Sequence, residues 1–174
     1  MISLPSFHPV VEDDLLYISA GSLDPAALLN RAHHPKAGAV VLFSGEVRDN
    51  NSGKIVDYLE YEAHFSMASK MIDSILNEAK SKWSLNIAIA QHRIGKVEVG
   101  ESAVVVITSS AHRKEAYAAN RFIIDKIKHE VPIWKCEYFT DGTKEWGGRC
   151  ACESGVGGQE SRVWSRESGV EREV

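Results

Sequence analysis

Three observations predict a mixed α+β fold. Apolar runs such as "AVVLF" (39–43) and "AVVVI" (103–107) have the length and β-branched content of strands. The stretches 66–83 and 113–130 instead repeat their apolar residues at the 3.6-residue period of an amphipathic helix. Strand runs and helical runs do not alternate strictly, which argues against a doubly wound parallel sheet and for an α+β (mixed α/β) domain.

The elements follow in order. "DLLYIS" (14–19) has strand character, and Asp24 then stands before Pro25 in the favoured order of an N-cap and a first-turn proline, predicting a helix to about residues 30–33. "GAVVLFSGEVR" (38–48) reads as a buried strand. Alternation sets Val40, Leu42, Ser44, Glu46 and Arg48 on one face, with Ala39, Val41, Phe43, Gly45 and Val47 on the other. "DNNSG" (49–53) is turn chemistry before "KIVDYLEYEA" (54–63), so a hairpin with a flexible polar tip is expected. The helix over 66–83 carries an apolar stripe of Met67, Met71, Ile72, Ile75, Leu76 and Ala79. "NIAIAQHRI" (86–94) and "SAVVVITSS" (102–110) are strands joined through "GKVEVGE".

The second long helix, about 113–130, must stop before Pro132, because the residue preceding a proline is pushed out of the helical region. "IWKCEYF" (133–139) then forms a strand, with Trp134, Cys136 and Tyr138 on the expected core face and Ile133, Lys135, Glu137 and Phe139 on the other. From Gly147 onward the chain is rich in Gly, Ser and charge. Residues 1–146 are therefore expected to form a single domain and 147–174 a flexible tail.

Bulk properties exclude several function classes. The chain has 174 residues, 44% hydrophobic and 25% charged, and a formal charge of −4 that argues against a nucleic-acid binder. No apolar run approaches the ~20 residues of a spanning helix, and the N-terminus has no secretory pattern. A cytoplasmic protein with no membrane role is expected. Three cysteines, Cys136, Cys150 and Cys152, suit reduced thiols better than a disulfide framework. The histidines lack metal-site spacing and there is no glycine-rich nucleotide loop, so neither a metal nor a cofactor is expected.

Two stretches could carry chemistry. In "SSAHRKE" (109–115) a strand hands over to a helix whose unpaired N–H groups favour anions, and His112 and Arg113 add donors; a solvated first turn capped by Ser109 or Ser110 is the plainer alternative. In "KIKHEVPIWK" (126–135) the helix stop at Pro132 lets Lys128 and Lys135 approach one edge, to which Arg48 could also project. Lysines brought together disfavour each other's protonation, and a neutral amine can act as nucleophile or base. The competing reading has Lys128 merely complementing the helix C-terminus and Lys135 pairing with Glu137, about 6.6 Å away along the strand.

"GAVVLFSGEVRDNNSGKIVDYLEYEAHFSMA", "HRIGKVEVGE" and "SSAHRKEAYAANRFIIDKIKHEVPIWK", in that order, strongly resemble the catalytic large subunit of molybdopterin synthase over about residues 38–146. The resemblance implies an α/β hammerhead fold and a sulfurtransferase of molybdenum cofactor biosynthesis. It would place two sulfurs on cyclic pyranopterin monophosphate to give molybdopterin. It implies a small ubiquitin-like partner bearing a C-terminal Gly-Gly thiocarboxylate, and a homodimer within a heterotetramer, without a metal. The family's catalytic lysines fall on Lys128 and Lys135. Its substrate-binding positions fall on Glu46, Val47, Arg48, His112, Arg113, Lys128, Lys135, Cys136 and Glu137. Cys136 stands where the family is often basic, and Arg149 is the candidate for a family arginine near the C-terminus. A non-catalytic module that docks a ubiquitin-like protein, and a lysine Schiff-base enzyme, are the alternative function classes.

Overall fold

The computed structural model describes residues 17–147. It has the predicted mixed architecture: three helices and two sheets. The first sheet has the order β1 (Ile18–Ser19), β5 (Leu85–Arg93), β7 (Ser102–Ser110), β2 (Ala39–Glu46), with β1 parallel to β5 and the other pairs antiparallel. The second has the order β3 (Asn50–Asn51), β4 (Lys54–Ala63), β8 (Ile133–Phe139), β9 (Lys144–Gly147), and β6 (Gly95–Glu98) pairs with β4.

The main core lies between the first sheet and the two long helices, α2 (Phe65–Lys82) and α3 (Arg113–Glu130). Ile72, Ile75, Leu76 and Ala79 of α2 are buried there as the stripe predicts, with Ile123, Ile124 and Ile127 of α3. Met67 departs from the stripe and is 51% exposed. It sits in the first turn of α2, capped by His64, whose Nδ1 accepts from the Met67 N–H at 3.4 Å. The short α1 (Pro25–Asn30) covers the opposite face of the first sheet through Leu28, joined by Ala32 of the turn that follows, with the Asp24 cap and Pro25 placed as expected. Every residue of β7 after Ser102 is buried, so this strand is the spine of the molecule. None of the helices is long and apolar enough to cross a membrane.

Two polar ties fix α3 on this spine. Asn120 is buried and its Nδ2 donates to the carbonyls of Val41 (3.1 Å) and Val106 (3.0 Å), while the Thr108 hydroxyl donates to Ala116 O at 2.8 Å. Polar groups inside a core cost free energy unless paired, so these bonds set the helix in one register against the sheet.

The hairpin expected between 38–48 and 54–63 does not form. β2 pairs with β7 in the first sheet, and β4 pairs with β8 and β6 in the second. "DNNSG" instead closes the small β3–β4 hairpin, with Ser52 at φ 51° and Gly53 at φ 81°, the left-handed backbone of a tight two-residue turn. A register shift at Gly45/Glu46 ends the β2 ladder, and Val47 then enters the core of the second sheet with Val56, Leu59, Val97 and Phe139. β6 and β9 were not legible as strands, and β9 carries regular structure through Gly147, one residue past the expected domain boundary. The N-terminal residues of the expected first strand, and the tail from residue 148, including Arg149, lie outside the described residues.

Candidate active site

The two sheets and the C-terminal end of α3 enclose a cavity of about 310 Å³. The chain reaches it by a short path. Val131 leaves the helix with extended backbone (φ −72°, ψ 133°), Ile133 N–H donates to Val131 O at 2.8 Å, and Pro132 O accepts from His64 N at 3.2 Å. The proline therefore turns the chain at once from α3 into β8. Lys128 on the last helical turn and Lys135 on the strand consequently border the same cavity, with Arg48 and Glu46 entering from the end of β2.

The face of β8 that lines the cavity is the one expected to lie opposite the core. Lys135 and Glu137 project inward beside Tyr61 and Leu59 of β4, their register partners, while Ile133 and Phe139 pack on the two cores. Trp134, expected inside, is 48% exposed, and Tyr138 stacks on Tyr58 at 4.4 Å on the other face, its hydroxyl donating to Glu60 at 2.8 Å. Glu137 tolerates its inward position because both carboxylate oxygens are partnered. Oε1 lies 2.5 Å from Lys135 Nζ, and Oε2 accepts from Asn51 Nδ2 at 2.7 Å. Its side chain is 6% exposed, that of Lys135 37%. A Cβ on Gly147 would stand 2.8 Å from Lys135 Cε, so the bare glycine of β9 gives the lysine stem its room.

Arg48 and Lys128 form no ion pair among the described residues; Lys128 Nζ lies 5.8 Å from the centroid of the Phe43 ring. The cavity thus presents two cations without carboxylate partners beside one lysine–glutamate pair, over apolar walls from Val56, Leu59, Ala103, Val104, Ile127 and Ile133. That combination suits a flat heterocycle bearing an anionic group.

His92 was not anticipated at this site; its spacing from the other histidines only argued against a metal ligand. It borders the cavity and is 7% exposed. Its Nδ1 lies 2.8 Å from Arg93 O; a carbonyl only accepts, so Nδ1 carries the proton. Its pKa is lowered to about 4, mainly by burial and in part by the charge of Lys128, against the effect of that backbone bond. The ring meets Tyr61 edge-on, with centroids 5.0 Å apart. At neutral pH the site therefore holds an uncharged imidazole in a fixed orientation. Asn51 was also missed, although its place in a polar turn three residues after Arg48 was the available signal.

Other expected positions lie elsewhere. Val47 is 3% exposed in the second core, held by Val47 N to Glu101 O at 3.1 Å and Gly100 N to Val47 O at 2.8 Å. Cys136 is fully buried on the outer face of β8, opposite Glu60 and Trp146, and burial pushes its thiol pKa up, which disfavours a thiolate. His112 and Arg113 are exposed at the N-terminus of α3, about 22 Å along the helix from Lys128 at 1.5 Å per residue. His112 is the N-cap but makes no side-chain capping bond; Ser109 and Ser110, the expected caps, are buried in β7.

Comparison with known proteins gives a consistent result. A family model described as "MoaE protein" matches residues 18–130. The chain is 43% identical over 129 residues to a molybdopterin synthase catalytic subunit of Thermoplasma volcanium, covering 74% of this chain and 94% of that one. Its fold superposes on a crystal structure of molybdopterin synthase from Staphylococcus aureus with a TM-score of 0.72 and 39% identity, over 76% of this chain and 96% of that one. A Helicobacter pylori structure, described as the protein–protein complex of subunits 1 and 2 of molybdopterin-converting factor, shares the fold with a TM-score of 0.63 at 23% identity, over 79% of this chain and 90% of that one.

Proposed function

Since the chain belongs to the MoaE protein family, we propose that it is the catalytic half of a molybdopterin synthase, in which the cavity between its two sheets is where sulfur is transferred. The reaction converts cyclic pyranopterin monophosphate to molybdopterin in molybdenum cofactor biosynthesis. Two sulfurs arrive in turn, each as the thiocarboxylate on the C-terminal Gly-Gly of a small ubiquitin-like partner that leaves as a carboxylate once water has cleaved its acyl–sulfur bond. The observation that carries this reading is the convergence of Lys128, Lys135 and Arg48 on one partly apolar cavity.

Both reactants are anions. Arg48 and Lys128, without carboxylate partners among the described residues, attract the phosphate and the thiocarboxylate; fixed cations in a cleft raise the local concentration of such groups. Lys135, held by Glu137 at 2.5 Å, is placed to donate and recover protons as C–S bonds form and break. Glu46 completes the polar wall beside Arg48. The neutral imidazole of His92 offers an acceptor that does not add to the positive field. Val47 and Cys136 can contribute only through their backbone, because their side chains are buried away from the cavity. His112 and Arg113 are too far along α3 to serve the cavity of their own chain and act on that of the second copy in a homodimer, within a heterotetramer that adds two small subunits. The cytoplasm is the proposed compartment.

Reconstitution tests the assignment. The chain is mixed with thiocarboxylated small subunit and cyclic pyranopterin monophosphate, and dithiolene formation is compared with that of Lys128→Ala and Lys135→Ala. Each variant is expected to lose at least about 100-fold in rate, the scale of a positioned proton-transfer or charge-stabilising group. Unimpaired product formation by both would sink the assignment.

A further inference from the structure

The β3–β4 hairpin brings a neutral donor to the one carboxylate that faces the cavity from β8. Glu137 is 5% exposed, at the wall of a cavity whose cations without carboxylate partners among the described residues are Arg48 and Lys128. A carboxylate in that place repels any anion entering, unless its charge is held elsewhere. Lys135 takes Oε1 at 2.5 Å, and Asn51 Nδ2 donates to Oε2 at 2.7 Å from 86 positions away in the chain. The choice of donor matters. A second cation on Oε2 would compete with Lys135 for the carboxylate charge, whereas an amide N–H fixes the orientation and leaves the lysine as the sole charge partner.

The hairpin that carries Asn51 is itself anchored. Val56 N donates to Asp49 O at 2.8 Å, and the Lys54 ammonium pairs with Glu145 of β9 while lying 4.8 Å from the centroid of the Phe139 ring of β8. Ser52 and Gly53, both at positive φ, close the turn tightly. The amide is thus delivered by a turn tied to β8 and β9 by side-chain contacts. Asn50, its neighbour, also borders the cavity but spends its Nδ2 on Asp49 at 2.5 Å.

We propose that Asn51 is a positioning residue for sulfur transfer: by holding the second oxygen of Glu137 it keeps that carboxylate turned onto Lys135 and away from the anions the cavity receives. The proposal rests on the reading of this cavity as the site of sulfur transfer. A purely structural role, in which the same bond only pins the hairpin to β8, makes different predictions for catalysis.

A double-mutant cycle separates them. Asn51→Ala, Glu137→Ala and the double variant are assayed by dithiolene formation with thiocarboxylated small subunit and cyclic pyranopterin monophosphate, alongside thermal unfolding. Asn51→Ala is expected to lower kcat roughly tenfold, with its melting temperature close to wild type and the KM for the small subunit little changed. In the Glu137→Ala background the same substitution is expected to have no further effect. Should Asn51→Ala fold poorly, the near-isosteric Asn51→Asp, which replaces the donor by an acceptor, is expected to fold and to show at least the same loss. Wild-type kcat in a folded Asn51 variant, or losses that multiply in the double variant, would overturn the proposal while leaving the functional reading intact. A wild-type chain that makes no dithiolene under these conditions would overturn both.

Discussion

At the scale of single residues, the cavity is defined by which of its groups carry charge. Lys135 and Glu137 neutralise one another, Arg48 and Lys128 stay without carboxylate partners among the described residues, and His92 is held neutral. His92 has a measurable consequence for stability. Its pKa is near 4 in the fold against 6.5 for the ordinary side chain, so between those values the unfolded chain binds the proton and the folded one does not. Stability from this group is complete above about pH 6.5 and is lost as pH falls toward 4; the linkage relation gives about 2 kcal/mol less at pH 5 than at pH 7.5. Urea unfolding of wild type and His92→Gln at the two pH values checks this, and an equal pH dependence in both would refute it. The lysines and Arg48 were legible because a helix stop and an alternating strand fix where side chains go. His92 and Asn51 were not, because their partners Arg93 O, Tyr61 and Glu137 are supplied by the tertiary fold, and nothing local marks them.

At the scale of elements, α3 is the lever that sets the site. Its length and its stop at Pro132 were readable from the chain, since each is a local matter of dihedral angles and hydrogen bonds, whereas its N-cap is His112 and not Ser109 or Ser110. Strand partners were harder. β2 and β4 are neighbours in sequence yet lie in different sheets, and β6 and β9 are four-residue strands whose pairing alone makes them strands. The core face of β8 was only partly legible: Cys136 is buried as expected, but Trp134 is 48% exposed, and Lys135 and Glu137 line the cavity. What holds the lever is Asn120, bonded to Val41 O and Val106 O. Asn120→Ala is expected to destabilise the protein by about 2 kcal/mol, the cost of a lost buried polar pairing together with the space left behind. A lowered urea midpoint with an unchanged slope would show it; an unchanged midpoint would contradict it.

At the scale of the whole molecule, the cavity belongs to no single layer. It forms where β2 leaves the first sheet at the Gly45/Glu46 register shift and where α3 delivers the chain to the second. The mixed α+β class was legible because it follows from local periodicity, whereas the division into two sheets depends on long-range pairing. The separation of His112 and Arg113 from their own cavity gives a test at this scale. Chains carrying His112→Ala with Arg113→Ala are co-refolded with chains carrying Lys128→Ala, each preparation being inactive alone. Random pairing into symmetric dimers makes a quarter of the cavities complete, so about a quarter of the wild-type rate is expected to return. No recovery would show that the His-Arg pair does not act across the dimer.

The Gly147 contact has a further consequence during synthesis. Lys135 settles between β4 and β9, and β9 ends at residue 147. A nascent chain still lacking β9 already contains Arg48, Lys128 and Lys135, but not the strand against which the lysine stem lies. On the proposed reading, a nascent chain without β9, the last strand among the described residues, lacks the support of the lysine stem, and sulfur transfer is expected only once that strand has been added.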